Sequence, residues 1–156
     1  GGTIKGMSLL PMDTVFAGQK TRTRVNGAFE AVGGILKELS GVELEGYEIH
    51  MGVSTLKNGA LPLTAITDTN SEESGQKADG AQFENIYGSY VHSIFDRELV
   101  AEKIVEAIGR EKGIDTEQMT GVDYQAFKES QYELLADSLR KHLDMEKIYQ
   151  ILEQGV

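Results

Sequence analysis

Residues 85–113 read NIYGSYVHSIFDRELVAEKIVEAIGREKG, a β-prone run that gives way within a few residues to a helical period. The opening NIYGSYVHSIF (85–95) is rich in Ile, Tyr, Val and Phe, side chains that suit a pleated surface. Asp96 then offers a carboxylate as N-cap and predicts a helix over 97–112, closed by Gly113, which suits the left-handed conformation at a helix end. Leu99, Val100, Lys103, Ile104, Ala107 and Ile108 recur at helical spacing, so one side of that helix is expected to pack on something flat, such as a sheet. A strand feeding directly into a helix that packs on a sheet makes an α/β layer, the expected fold class.

Working outward, the upstream half is β-rich. Residues 7–16 (MSLLPMDTVF) and 20–30 (KTRTRVNGAFE) read as two strands joined by a turn at Ala17-Gly18-Gln19. Thr21, Thr23 and Val25 alternate there with Arg22, Arg24 and Asn26 at the period of a half-buried strand. A further strand is expected over 42–53 (VELEGYEIHMGV), with Gly46 at a bulge, and another over 61–68 (LPLTAITD). Residues 69–80 (TNSEESGQKADG) are polar and aperiodic, as in a surface loop or hairpin end. Downstream, Asp123 is expected to cap a second helix with Phe127, Leu134, Leu135, Leu139 and Leu143 on its apolar face, and Asp144 a short final helix over 145–154 before Gly155. The layout is a β-rich first half and a helical C-terminus.

A chain of 156 residues with 40% hydrophobic content supports one domain, or part of one, and not two. Eighteen glycines against two prolines indicate many turns in a chain that still folds. A net charge of −10, with Lys and Arg scattered, argues against nucleic acid and anionic membrane surfaces as partners. No apolar run approaches the roughly 20 residues needed to span a bilayer, and the start lacks a basic segment followed by an apolar one, so a cytoplasmic protein fits best. The absence of cysteine excludes disulfides, Cys-type zinc sites and thiol catalysis by this chain's own residues. The Gly1-Gly2 start, without Met, leads us to expect a longer natural chain upstream or a removed tag.

Chemistry could sit at three histidines. His92 lies four residues before the expected helix cap, at the end of a β run, where α/β sheets place catalytic groups. His50 lies in the strand GYEIHMG (46–52) beside Gly52, and His142 on the solvated side of the second helix. A histidine in a strand is more often a structural residue satisfying a buried hydrogen bond, so context must decide between the two roles. No carboxylate stands at ligand spacing from His50 or His92, and no metal site is assigned. Asp13, Glu48 and Asp96 could form an acid–base set, although with 25 acidic residues such sets arise easily. Lys20, Arg22 and Arg24 either attract an anionic substrate or protect an edge strand from aggregation.

The strings SLLPMDTVF (8–16), KTRTRV (20–25), GYEIHMG (46–52) and GSYVHSIFD (88–96) resemble the class I glutamine amidotransferase domain of the cobyric acid synthase family. The tail DYQAFKESQYELLADSLRKHLDMEKIYQIL (123–152), with its LDM-x-x-IY ending, is similar to that family's C-terminal helices, so the resemblance covers nearly the whole chain. The sister family, cobyrinic acid a,c-diamide synthase, shares the YEIH and YVH patterns but is less similar in the tail. The resemblance implies a flavodoxin-like α/β amidotransferase domain, of which residues 1–156 are the C-terminal portion.

In that family a cysteine on a strand-to-helix turn attacks the glutamine carboxamide, a histidine acts as its base, and the ammonia travels to an ATP-dependent synthetase domain. His92 matches the histidine, and an imidazole with an ordinary pKa near 6.5 suits the task. The wider class has a glutamate two residues after the histidine; Ile94 stands there, which implies a Cys–His dyad or another orienting group. His50 and Gly52 match a signature expected to line the glutamine pocket. The family's cysteine precedes the segment corresponding to Gly6–Phe16, so this chain alone is expected not to hydrolyse glutamine.

The implied reaction of the whole enzyme is ammonia supply for ATP-dependent amidation of corrinoid carboxylates in cobalamin biosynthesis. Its partners are glutamine, adenosylcobyrinic acid a,c-diamide and upstream domains of the same polypeptide. ATP and Mg2+ are expected in the upstream synthetase domain, with no cofactor in this chain. Sheet faces left bare without the central strands would be covered by homodimerisation or strand exchange. Two alternatives stay open: a non-catalytic amidotransferase-like binding module or subunit, and a related amidotransferase acting on another carboxylate substrate, such as a cell-wall lipid intermediate. The LDM-x-x-IY tail argues against the last.

Overall fold

The alternation around Thr23 and Val25 is realised in β1 (Met12–Phe29), one 18-residue strand where two strands joined at Ala17-Gly18-Gln19 were expected. Both halves of β1 pair antiparallel with β2 (Glu43–Leu56): Met12–Phe16 run against Gly52–Leu56, and Thr21–Ala28 against Glu43–His50. The turn-prone residues therefore fall in a register shift between Phe16 and Thr21. With a long partner alongside, the extra residues bulge from the ladder and leave the flanking backbone groups paired, so the chain need not reverse. Gly46, expected at a bulge, pairs in regular register with Val25.

The computed structural model describes residues 1–70, 75–116 and 123–155. They divide into two units, Gly1–Gly121 and Val122–Val156. In the first unit β3 (Thr64–Asp68), β4 (Lys77–Asp79), β5 (Ala81–Phe83), β6 (Ile86–Gly88) and β7 (Val91–His92) follow β2. A five-stranded sheet has the order β4-β3-β1-β2-β7 with every pairing antiparallel, and β5 and β6 form a separate ribbon. The segment expected as a loop over 69–80 thus ends in β4, and its residues 71–74 lie outside the described residues.

The single strand expected over 85–95 is broken between β6 and β7. Side chains take the backbone donors at the break. Tyr90 N–H goes to Asp79 Oδ1 at 3.3 Å and Val91 N–H to Ser89 Oγ at 2.9 Å. This local competition ends the ladder.

The helix α1 (Glu98–Lys112) closes at Gly113, φ +66°, as expected. Its N-cap is Arg97, not Asp96, and no side chain caps it. The Asp96 N–H instead donates to the Ser93 carbonyl at 2.9 Å, in the turn that leaves β7. Val100 and Ala107 are buried, whereas Leu99 and Ile108 stay about half exposed, so the buried stripe is narrower than expected. α1 packs most closely on the 3-10 helix Gly34–Leu39, and its Val100, with Ile104 against it, joins the core cluster that the sheet residues build. The core gathers Val25, Leu44 and Ile66 from the sheet with Leu39, Val91 and Val100.

In the second unit Asp123 caps α2 (Tyr124–His142) by accepting from Ala126 N–H at 2.9 Å, and Asp144 caps α3 (Met145–Gln154) through Lys147 N–H at 3.0 Å. Both caps were legible as carboxylates ahead of an apolar period. Phe127, Leu134, Leu135, Leu139 and Leu143 are all exposed. Among the described residues no helix is long and apolar enough to cross a membrane.

Candidate functional site

β7 is short, but its register is defined. His92 lies opposite Tyr47 and Val91 opposite Glu48. Arg24 lies opposite Tyr47 on the other side of β2. Opposed residues of an antiparallel pair project to the same face. Arg24, Tyr47 and His92 therefore form a cross-strand row on the face turned away from Leu44 and Val25, which are buried. Arg24 Nη2 donates to Tyr47 Oη at 3.2 Å, and the guanidinium lies 5.4 Å from the ring centroid. The hydrogen bond that the guanidinium donates to the Tyr47 hydroxyl holds it above its ordinary pKa, so Arg24 is a fixed positive charge in this row.

Arg22, opposite Ile49, shares that face, and Arg22, Arg24, Tyr47 and Asn70 border a shallow groove of about 430 Å³. Lys20 falls inside the register shift and does not continue the row. His92 is exposed, and its side chain makes no hydrogen bond or ion pair with any described residue.

His50 is on the opposite face of β2, in step with Glu48. Its Nε2 meets Glu48 Oε1 at 2.7 Å and its Nδ1 meets the Gly52 carbonyl at 2.7 Å. Both neighbours are acceptors. The ring is also stacked on Tyr90, with centroids 4.4 Å apart and planes 18° from parallel. Glu48, buried, takes a second cation through Lys77 Nζ at 2.5 Å. Tyr90 Oη continues to Ser54 Oγ at 2.6 Å, and Ser54 to Thr14 at 2.8 Å. Gly52 is buried, and a Cβ there would stand 2.5 Å from Thr14 Cγ2, so its small size serves the β1–β2 contact.

The three carboxylates grouped in the sequence do not meet. Asp13, opposite Thr55, pairs with the Lys57 ammonium; Glu48 is opposite Thr23 with His50 and Lys77; Asp96 lies in the turn after β7. Nor do His50 and His92 share a face. His142, on α2, has Nδ1 on the Ser138 carbonyl at 2.8 Å. Of the three histidines, His92 alone has neither ring nitrogen engaged by a described residue. Among the described residues no group of three or more His, Cys, Asp or Glu is arranged to hold a metal ion.

Sequence reasoning missed Asp79, Tyr90 and Lys77. Asp79 is buried and accepts from Thr64 Oγ1 at 3.1 Å, Ser89 Oγ at 2.6 Å and Tyr90 N–H at 3.3 Å. The one available signal was its place before Gly80, a glycine with φ +69° that passes against the Gly88 carbonyl.

Comparison with known proteins bears on this arrangement. A family model described as the CobB/CobQ-like glutamine amidotransferase domain matches residues 1–100. The chain is 46% identical over its whole length to a cobyric acid synthase of Ruminiclostridium cellulolyticum, covering 30% of that protein. It is 42% identical over its whole length to a cobyric acid synthase of Lachnoclostridium phytofermentans, covering 32% of it. A third relative, a cobyric acid synthase of Photorhabdus laumondii, is 40% identical over 96% of the chain and 30% of its own length. The chain thus spans about a third or less of the relatives it matches.

Proposed function

Because the chain belongs to the CobB/CobQ-like glutamine amidotransferase domain family, an α/β family of the class I type, we propose that it carries the base of a glutaminase site, His92. The observation behind this assignment is the exposed, unengaged imidazole in a row with Tyr47 and Arg24, at the end of a strand that leads into α1. The other two histidines already have ring nitrogens committed to partners.

In this role His92 removes the proton of a cysteine thiol, whose sulfur adds to the side-chain carbonyl carbon of glutamine. The imidazolium then returns the proton to the leaving nitrogen as the C–N bond breaks, and ammonia departs. His92 next deprotonates the water that hydrolyses the thioester to glutamate and regenerates the thiol. None of the 156 residues is cysteine, so the thiol comes from polypeptide outside this sequence, and the chain alone releases no ammonia. His50 and Gly52, expected to line the glutamine pocket, lie on the face of β2 opposite His92; the part assigned to them is to hold Tyr90 and the β1–β2 contact behind the site, and not to touch the substrate.

The names of the relatives extend the proposal to the whole enzyme. This chain would be the C-terminal portion of the glutaminase domain of a cobyric acid synthase, acting in the cytoplasm. The ammonia would be used in ATP- and Mg2+-dependent amidation of corrinoid carboxylates such as those of adenosylcobyrinic acid a,c-diamide. A second reading, a non-catalytic amidotransferase-like module, is favoured only by the absence of cysteine.

Glutamine-dependent ammonia release by the full-length polypeptide separates the two. With a catalytic His92, His92→Ala lowers the rate at least about a hundredfold, and the 156-residue chain alone is silent. An unimpaired His92→Ala enzyme, or ammonia release by the chain alone, overturns the assignment.

A further inference from the structure

We propose that Asp79 is a positioning residue for His92, whose buried carboxylate clamps the turn that delivers the imidazole to the open face of the sheet. The inference rests on the assignment of His92 as base.

β7 is only two residues long, Val91–His92, and two ladder positions do not by themselves fix a strand end at a sheet edge. The Asp79 carboxylate supplies the missing restraint. It accepts from Ser89 Oγ and from Tyr90 N–H, and Ser89 Oγ in turn accepts from Val91 N–H, so every residue from Ser89 to Val91 is tied to it directly or through one atom. The Oδ2 that accepts from Ser89 also accepts from Thr64 Oγ1, and Thr64 is fully buried in β3, which pairs with β1. The carboxylate thus joins the approach to His92 to the interior of the sheet.

Tyr90 is held a second time through its side chain, by stacking on His50 and by its hydroxyl on Ser54. Just beyond, His92 passes into Ser93 at φ +65°. The histidine is therefore delivered between a doubly anchored residue and a fixed turn.

A purely structural group would be cheaper in another form. Asp79 is 5% exposed, and no Lys or Arg among the described residues pairs with it. A buried carboxylate without a counter-ion is costly and is retained when several donors converge on it. Here two of the three converging donors, Ser89 Oγ and Tyr90 N–H, belong to the segment ending at His92, and the third, Thr64 Oγ1, to the buried strand β3. A general base must sit within hydrogen-bond reach of the proton it takes, and a displacement of about 1 Å costs on the order of a hundredfold in rate.

The test is steady-state glutaminase kinetics of the full-length polypeptide with Asp79→Asn, Ser89→Ala and His92→Ala, each with a thermal midpoint measured alongside. Asp79→Asn keeps the volume but turns an amide N–H toward donors. We expect a folded Asp79→Asn enzyme to lose at least about tenfold in kcat with KM for glutamine within about twofold. Ser89→Ala should move in the same direction by a smaller factor, and it decides the matter if Asp79→Asn does not fold. A folded variant with wild-type kcat, or a loss that only follows the unfolded fraction, overturns the role of Asp79. If His92→Ala is itself unimpaired, the base assignment fails; if His92→Ala is dead while the other two are fully active, only the positioning role fails.

Discussion

A side chain at Gly46 would have to share space with the carbonyl oxygen of His92, because β7, paired antiparallel with β2, approaches there too closely for a Cβ. The same Cβ would stand 2.7 Å from Val91 Cγ1. Both obstacles belong to β7, so the strand must give way if Gly46 gains a methyl group. Gly46→Ala should destabilise the fold by about 1–3 kcal/mol, the range for overpacking, and should also lower glutaminase activity by moving His92. Denaturant midpoints and ammonia release, measured on the full-length polypeptide, check both. A variant that keeps wild-type stability would show that β7 does not need this close approach.

Glu48 sits between His50 and Lys77, and the two partners differ in exposure. The Glu48 side chain is 4% exposed, that of His50 18% and that of Lys77 47%. Lys77→Ala should cost less than about 1 kcal/mol, as for other solvent-screened pairs. Glu48→Ala strips His50 of a buried acceptor and should cost about 2 kcal/mol or more. Urea denaturation of the two variants tests the ordering, and equal losses would contradict it.

Much of the helical half was legible because its signals are local. Asp123, Asp144 and Gly113 lie within a turn of the groups they satisfy. Asp96 is not the cap: its N–H closes the turn from Ser93, and the N-cap position falls one residue later, at Arg97, ahead of α1. The sheet was less legible. Gly46 looked like a bulge, yet its reason lies in β7, which is far away in sequence. Ala17-Gly18-Gln19 looked like a hairpin turn because the sequence does not show that β2 runs the full length of β1.

His92 was picked out by its position before a helix and by a family motif, and its open nitrogens became visible only when His50 and His142 were seen to be engaged. Asp79 was hidden among 25 acidic residues, since burial without a cation leaves no mark on the sequence.

The second unit offers an independent check on capping. The Asp123 carboxylate accepts the Ala126 N–H, one of four donors that the first turn of α2 cannot satisfy internally. Asp123→Ala should cost about 1 kcal/mol of helix stability, and Asp123→Ser much less. Circular dichroism of the 156-residue chain should show helix lost on heating earlier for Ala than for Ser. Indistinguishable melts would mean that the cap contributes nothing.

Ser93, immediately after His92, adopts φ +65°, a left-handed conformation that a side chain disfavours and glycine accepts freely. Ser93→Gly should relieve that strain while giving the unfolded chain more freedom, so the net change in stability lies between zero and a gain of about 1 kcal/mol. Ser93→Val places a β-branched side chain in the same region and should lose about 1 kcal/mol or more. Activity should not follow stability. If the turn helps to aim the imidazole, Ser93→Gly loosens the residue next to it and lowers kcat even when the protein is no less stable. Thermal midpoints and glutaminase rates on the full-length polypeptide, measured together, separate the two effects. A Ser93→Val variant as stable as wild type would exclude strain at this turn, and a Ser93→Gly variant with unchanged kcat would show that the turn does not aim His92.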